Sequence, residues 1–263
     1  MHQKHPPAKI AVLVVAAGSA VPLEFMPESV ATPAINANKN LLIGDSFSRP
    51  VQFSMAPAFP LPINRNASDA EIIPANYFAP LDIEAIFPRA APLEIDLGCG
   101  DGAFLVGIAA RYPDRNFLGI ERVPGRVATA CRRIRQAGLS NACVLHLENS
   151  YAVGRLLPPG SVRVFHLMFP DPWPKRRHAR RRLVTQSFVA DIYRALEPNG
   201  ELRIATDQRD YFVEIQRLAA RMAEFQLEAV GEEPAASSTF GQRFVLAGEK
   251  IYWLGLRKVC PMT

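Results

Sequence analysis

From residue 92 onward the chain alternates short apolar runs with longer stretches in which apolar residues recur every three or four positions. The runs PLEIDLG (92–98), NFLGIE (116–121), ACVLHLE (142–148), VRVFHLMF (162–169) and ELRIATD (201–207) have the length and side-chain types of strands. Between them, GAFLVGIAARY (102–112), PGRVATACRRIRQAG (124–138), YAVGRLL (151–157), a segment within 181–200 and QRDYFVEIQRLAARMAE (208–224) have the spacing of amphipathic helices. Pro124 marks a helix start, Gly138 a stop, and Pro198-Asn199-Gly200 another stop. FQLEAV and KIYWLGLRK close the pattern as two strands with no helix between them. The expectation is an α/β fold: a doubly wound, mostly parallel seven-stranded sheet with an antiparallel hairpin at one edge. Lys250, Trp253 and Arg257 fall on the expected edge strand, with Trp253 used in packing. No internal repeat is present.

Ligands of such sheets bind beyond the carboxyl ends of the strands, so the residues following each strand carry the functional signal. After the first strand, LEIDLGCGDGAF places Gly98, Gly100 and Gly102 in a loop that opens a helix. Glycines there permit a tight turn and close approach of a ligand to the backbone, and a helix start offers free N–H donors. Glu121 ends the second strand, where an acid commonly holds two ribose hydroxyls. The spacing Gly98-x-Gly100-x-x-Ala103 also fits a dinucleotide fingerprint. Glu94 and Asp96, however, put two acids on one face of a strand that is normally apolar. They would repel a pyrophosphate and accept a cationic cofactor such as S-adenosylmethionine. Asp96 could instead satisfy loop amides. The third strand ends at Glu148 and Asn149, which either read an adenine amino group or cap the next helix, with Asn149 or Ser150 as the cap.

The fourth strand runs into FPDPWPKRRHARRRL (169–183). Pro170, Pro172 and Pro174 stiffen this loop, holding Asp171 and Trp173 at the strand's carboxyl end. An indole can stack on a base and a carboxylate can accept from a base edge. The basic run that follows is either a solvated helix face or localisation signal, or, this close to a methyl donor, a clamp on phosphates. Asp207 ends the fifth strand, as an ordinary helix cap or as a site residue.

These residues carry a resemblance. The stretch FPDPWPKRRHARRRLV resembles the signature of the tRNA (guanine-N7)-methyltransferases, and LEIDLGCGDG, FLGIE, ATD and the late STFGQRFVLAGEKIYWL agree in order. The resemblance covers roughly residues 90 to 258 and makes 67–263 an S-adenosylmethionine-dependent methyltransferase domain. It implies methyl transfer to N7 of a guanosine in the tRNA variable loop. By position it assigns Glu94, Gly98, Gly100, Glu121, Asn149 (or Glu148) and Asp171 to the cofactor. Asp171 becomes the catalytic acid, and Lys175, Asp207, Ser238 and Gly241 the substrate contacts. The family's tail pattern is Thr-x-Phe-Glu; with Phe240 as anchor, Ser238 and Gly241 occupy the Thr and Glu positions, so an acid is missing here. Rival readings are a methyltransferase acting on another base position, a nicotinamide-dependent oxidoreductase, and an RNA-binding relative without catalysis.

Composition narrows the setting. The net charge of +5 suits a polyanion only if the basic residues cluster on one face. Cys99, Cys131, Cys143 and Cys260 form neither a disulfide framework nor a zinc motif, so no metal is expected, and scattered thiols suit the cytoplasm. KIAVLVVAAGSA (9–20) resembles a signal peptide yet is too short to span a membrane. The intracellular character of everything downstream favours a cytoplasmic protein with no membrane partner. Residues 1–66 are expected to be a poorly ordered extension or a mis-assigned start, with Met55 as an alternative initiator. A monomer or homodimer is expected, with a partner protein not required.

Overall fold

The computed structural model describes residues 70–173, 176–228 and 246–259. The expectations for residues 1–66 and for Lys175, Ser238 and Gly241 lie outside the described residues. Within them, one sheet of eight strands runs β1 (Glu71–Ile72), β2 (Leu93–Leu97), β3 (Asn116–Glu121), β4 (Ala142–His146), β5 (Val162–Met168), β6 (Leu196–Thr206), β7 (Phe225–Glu228) and β8 (Tyr252–Lys258). Their spatial order is β1-β4-β3-β2-β5-β6-β8-β7. All pairings are parallel except those of β8, which runs antiparallel to both β6 and β7. The seven strands expected are present. The eighth, β1, has two residues and no periodicity that sequence could register; it pairs with β4. The expected edge strand is also corrected: β8 lies inside the sheet, between β6 and β7, and β7 is the edge.

The helices are α1 (Ile83–Ile86), α2 (Ala103–Arg111), α3 (Pro124–Gln136), α4 (Asn149–Tyr151), α5 (Gln186–Ala195) and α6 (Arg209–Ala219). Pro124 opens α3 as its first residue, where its missing N–H costs nothing. Thr185 caps α5, its hydroxyl accepting from the Phe188 amide at 3.2 Å. The short helix expected over 151–157 is α4 continued by a π-turn, Ala152–Leu156.

Two apolar layers sandwich the sheet. Leu93, Ile95 and Leu97 of β2 join one layer with Phe188 and Ile192 of α5 and Ile215 of α6. Phe104 and Ile108 of α2 and Val127 and Ile134 of α3 form the other, with Phe117 and Val144. Side chains alternate along a strand, so Glu94 and Asp96 point away from Ile95 and Leu97, toward the α2 side. The chain leaves β2 outward through β3 and β4 and then returns to its other side at β5. That reversal opens a crevice at the carboxyl ends of β2 and β5.

Candidate active site

A cavity of about 1240 Å³ fills the crevice. The carboxyl ends of five strands supply its wall: Asp96–Asp101 after β2, Glu121–Val123 after β3, Glu148–Ser150 after β4, Leu167–Trp173 after β5 and Asp207 after β6. The glycine loop is built by backbone geometry. Gly98 adopts φ +72°, and a Cβ there would make an ordinary contact, 3.6 Å, with the side-chain amide nitrogen of Asn149. Gly102 adopts φ +77°, and a Cβ there would meet the Ala130 Cβ at 2.7 Å, so only glycine lets the start of α2 seat against α3.

The two acids of β2 have opposite fates. Glu94 is buried and fully committed: its carboxylate accepts from Arg115 Nη1 and from His166 Nε2, each at 2.7 Å. Burial alone would push its carboxyl up, but the hydrogen bonds and charges of His166 and Arg115 outweigh that and hold it low. His166, 2% exposed, also packs edge-on against Phe104. Glu94 is not among the residues that line the cavity; it sits beneath them. Asp96, two residues further along the same face, does line it. Its Oδ2 has no hydrogen-bond partner among the described residues. Burial, and secondarily the charge of Glu121, pushes its carboxyl up to about 8. Sequence spacing alone did not separate the two acids. The resemblance assigned Glu94 to the cofactor; of the two, Asp96, nearer the strand's carboxyl end, is the one that lines the cavity.

Glu121 is buried at the end of β3. Its Oε1 accepts the Arg122 and Val123 amides at 2.8 Å, and its Oε2 accepts the Gly100 amide at 3.1 Å. The carboxylate therefore ties the glycine loop to β3 at the cavity wall. Asn149 lines the cavity with its Oδ1 buried and without a partner among the described residues. The cap of α4 is Glu148 rather than Asn149 or Ser150: its carboxylate accepts the Tyr151 amide at 2.9 Å. Cys99 is buried beside these acids. Burial first, then the charges of Asp96 and Glu121, push its thiol up, which leaves it protonated and unreactive.

Asp171 is exposed on the cavity lip and makes no hydrogen bond or ion pair among the described residues. The loop that holds it is strained. Phe169 and Trp173 adopt φ +54° and +39°, conformations that cost a non-glycine residue about 1–3 kcal/mol each. Trp173 also lines the cavity: Arg181 stands over its ring at 5.0 Å and His178 meets it edge-on at 5.8 Å. Arg180 and Arg181 border the cavity beside Asp171, and Arg122 and Arg126 border it on the β3 side. The wall is thus acidic at its base, where Asp96 and Glu121 sit, and basic around its mouth. Asp207 lines the cavity and bonds the neighbouring Gln208 side chain. It does not cap α6, whose cap residue is Gln208.

The family model described as "Putative methyltransferase" matches residues 90–254. A tRNA (guanine-N(7)-)-methyltransferase of Geobacter metallireducens is 31% identical over 191 residues, covering 70% of this chain and 90% of the relative. The chain belongs to the tRNA (guanine-N(7)-)-methyltransferase family. A second member, from Syntrophotalea carbinolica, is 37% identical over 133 residues, and there the chain spans 57% of the relative's length. Among solved structures, the antibiotic-resistance methyltransferase Kmr superposes with a TM-score of 0.50 at 22% identity, covering 73% of this chain and 96% of that one. That likeness concerns the fold alone.

S-adenosylmethionine is the cofactor that membership in this family brings, and the cavity fits it. The orphaned, buried Asp96 Oδ2 and Asn149 Oδ1 both await polar partners. The opening over Gly98 would be narrowed by any side chain. An acidic base of the cavity favours a sulfonium and an ammonium over a pyrophosphate. Among the described residues no helix is long and apolar enough to cross a membrane, and no group of acids, His and Cys is arranged to hold a metal.

Proposed function

We propose that this chain methylates N7 of a guanosine in tRNA, at the variable loop, with S-adenosylmethionine as donor, and that it works in the cytoplasm. The observation that carries the reading is Asp171: a carboxylate free of partners among the described residues, presented on the lip of an acid-based cavity whose mouth is basic. The cofactor supplies an activated methyl group. Gly98, Gly100, Glu121, Asn149 and Asp96 hold it, with Glu94 supporting the strand from below. Lys175 and Asp207 take the substrate nucleotide, with Ser238 and Gly241 completing that side.

The guanine N7 lone pair carries no proton at neutral pH, so no general base is needed. What the protein must do is orient the base and accommodate the positive charge that methylation puts on the purine. Asp171 does both: its charge offsets the developing cation, and its oxygens accept from the base's N–H edge. The arginines around the mouth bind phosphates without reading sequence.

The experiment is methyl transfer from labelled S-adenosylmethionine to unmodified tRNA, with digestion to nucleosides and Asp171→Ala as control. Labelled 7-methylguanosine, reduced about 100-fold or more in the variant, is the expected outcome. Label in another nucleoside moves the reaction to a different base position. Cofactor binding without transfer points to a non-catalytic RNA-binding relative.

A further inference from the structure

The basic run after Asp171 divides into two kinds of arginine. Arg177, Arg180 and Arg181 are exposed. Arg182 is not: its side chain is 13% exposed. Its Nε donates to the Pro172 carbonyl at 2.7 Å and its Nη2 to the Trp173 carbonyl at 3.3 Å. Its Nη1 pairs with Glu214 of α6, and its guanidinium lies 5.0 Å from the ring centre of Tyr211, also on α6. Tyr211 is itself anchored, 1% exposed, with its hydroxyl accepting the Val184 amide. One planar cation therefore joins the two peptides that directly follow Asp171 to the helix that begins just after Asp207.

We propose that Arg182 is a positioning residue for Asp171, holding the strained loop against α6 so that the carboxylate stays fixed at the cavity lip; this rests on the reading of Asp171 given above. Phe169 and Trp173 sit in a backbone region that the chain leaves when nothing holds it. The prolines restrict their own φ angles, which by itself does not fix the loop's direction relative to α6. The fork of Arg182 does, because two carbonyls and a carboxylate in different directions need a planar group with several donors. A lysine brings the same charge from a single point and cannot satisfy all three. Arg182 also borders the cavity, but each of its three nitrogens already donates within the protein, so the role proposed is separate from phosphate binding.

The test compares Arg182→Met and Arg182→Lys with wild type in single-turnover methyl transfer at saturating tRNA and cofactor. A displacement of about 1 Å costs about 100-fold in rate. The expected result is a loss of that order in the Met variant, with KM for tRNA and Kd for the cofactor within about threefold of wild type. The Lys variant is expected to recover less than about a tenth of the wild-type rate. Full recovery by Lys, or a loss confined to KM for tRNA, overturns the proposal and makes Arg182 a phosphate contact.

A second readout needs no activity. The chain has two tryptophans; in a Trp253→Phe background, acrylamide quenching reports Trp173 alone. Quenching is expected to rise in both Arg182 variants, and unchanged quenching overturns the proposal. If wild type transfers no methyl to guanosine N7, the functional reading fails while quenching still decides the positioning role. If the Met variant does not fold, the Lys variant carries both measurements.

Discussion

Asp96→Asn isolates the cost of keeping an unpartnered acid at the base of the cavity. Asparagine has nearly the shape of the protonated acid and cannot ionise. In the folded protein the Asp96 carboxyl is pushed up to about 8 from an ordinary 3.8, by burial first and by Glu121 second. Asp96 is 3% exposed, so solvent does little to screen it. The folded chain therefore keeps a proton that the unfolded chain releases above about pH 4. The stability linked to that proton is fully present below about pH 3.8, declines as pH rises, and levels off above about 8. At about 1.4 kcal/mol per pH unit the whole interval is worth up to about 6 kcal/mol, and the part between pH 5 and 7 about 3 kcal/mol.

The assay is urea unfolding of wild type and Asp96→Asn at pH 5, 6, 7 and 8. Taking the difference cancels the titration of every group the two share. The variant is expected to gain on wild type by about 1.4 kcal/mol per pH unit up to about pH 7, and then to flatten. A difference independent of pH refutes the reasoning, because Asp96 would then be ionised in both states or neither. Saturating cofactor is expected to shrink the wild-type decline, since a bound cation stabilises the charged carboxylate, and to leave the Asn variant's profile unchanged.

Other outcomes follow from neighbouring features. Glu94→Gln is expected to cost about 3 kcal/mol in urea unfolding at pH 7, because it leaves Arg115 and the buried His166 without their carboxylate. Glu94 is held low, so its contribution is present above about pH 4.5 and lost as pH falls below it; the deficit of the Gln variant is expected to narrow there. Gly102→Ala is expected to lower stability by about 2–4 kcal/mol, from a left-handed φ and a 2.7 Å encounter with Ala130, and to weaken cofactor binding measured by calorimetry.

The sheet was legible because each strand from β2 to β6 is a compact apolar run followed by a helical period, and parallel strands buried on both faces leave that trace. Its edges were not. Two residues of β1 carry no periodicity, and the insertion of β8 between β6 and β7 depends on long-range pairing that local sequence does not encode. The site was legible at the strand ends, since Gly98, Glu121, Asn149, Asp171 and Asp207 all line one cavity. Glu94 shows where reading by strand face stops: it shares its face with Asp96, yet Arg115 and His166, distant in sequence, neutralise it below the cavity. Trp173 was read as a platform for a base; its ring borders the cavity and carries Arg181 over it and His178 at its edge, contacts that the sequence did not show. Arg182 was hidden in a run of like residues, and only its burial sets it apart.

The position of β8 has a consequence for how the molecule assembles. Among the described residues β7 pairs with β8 and with no other strand, although it precedes β8 by more than twenty residues. During synthesis, Phe225–Glu228 leaves the ribosome with no docking partner. Until Tyr252–Lys258 arrives, the backbone groups of β6 on that side stand open to any extended segment nearby. The strand that delivers Asp207 thus gains its second neighbour only when β8 is made, and until then its open edge is exposed to mispairing.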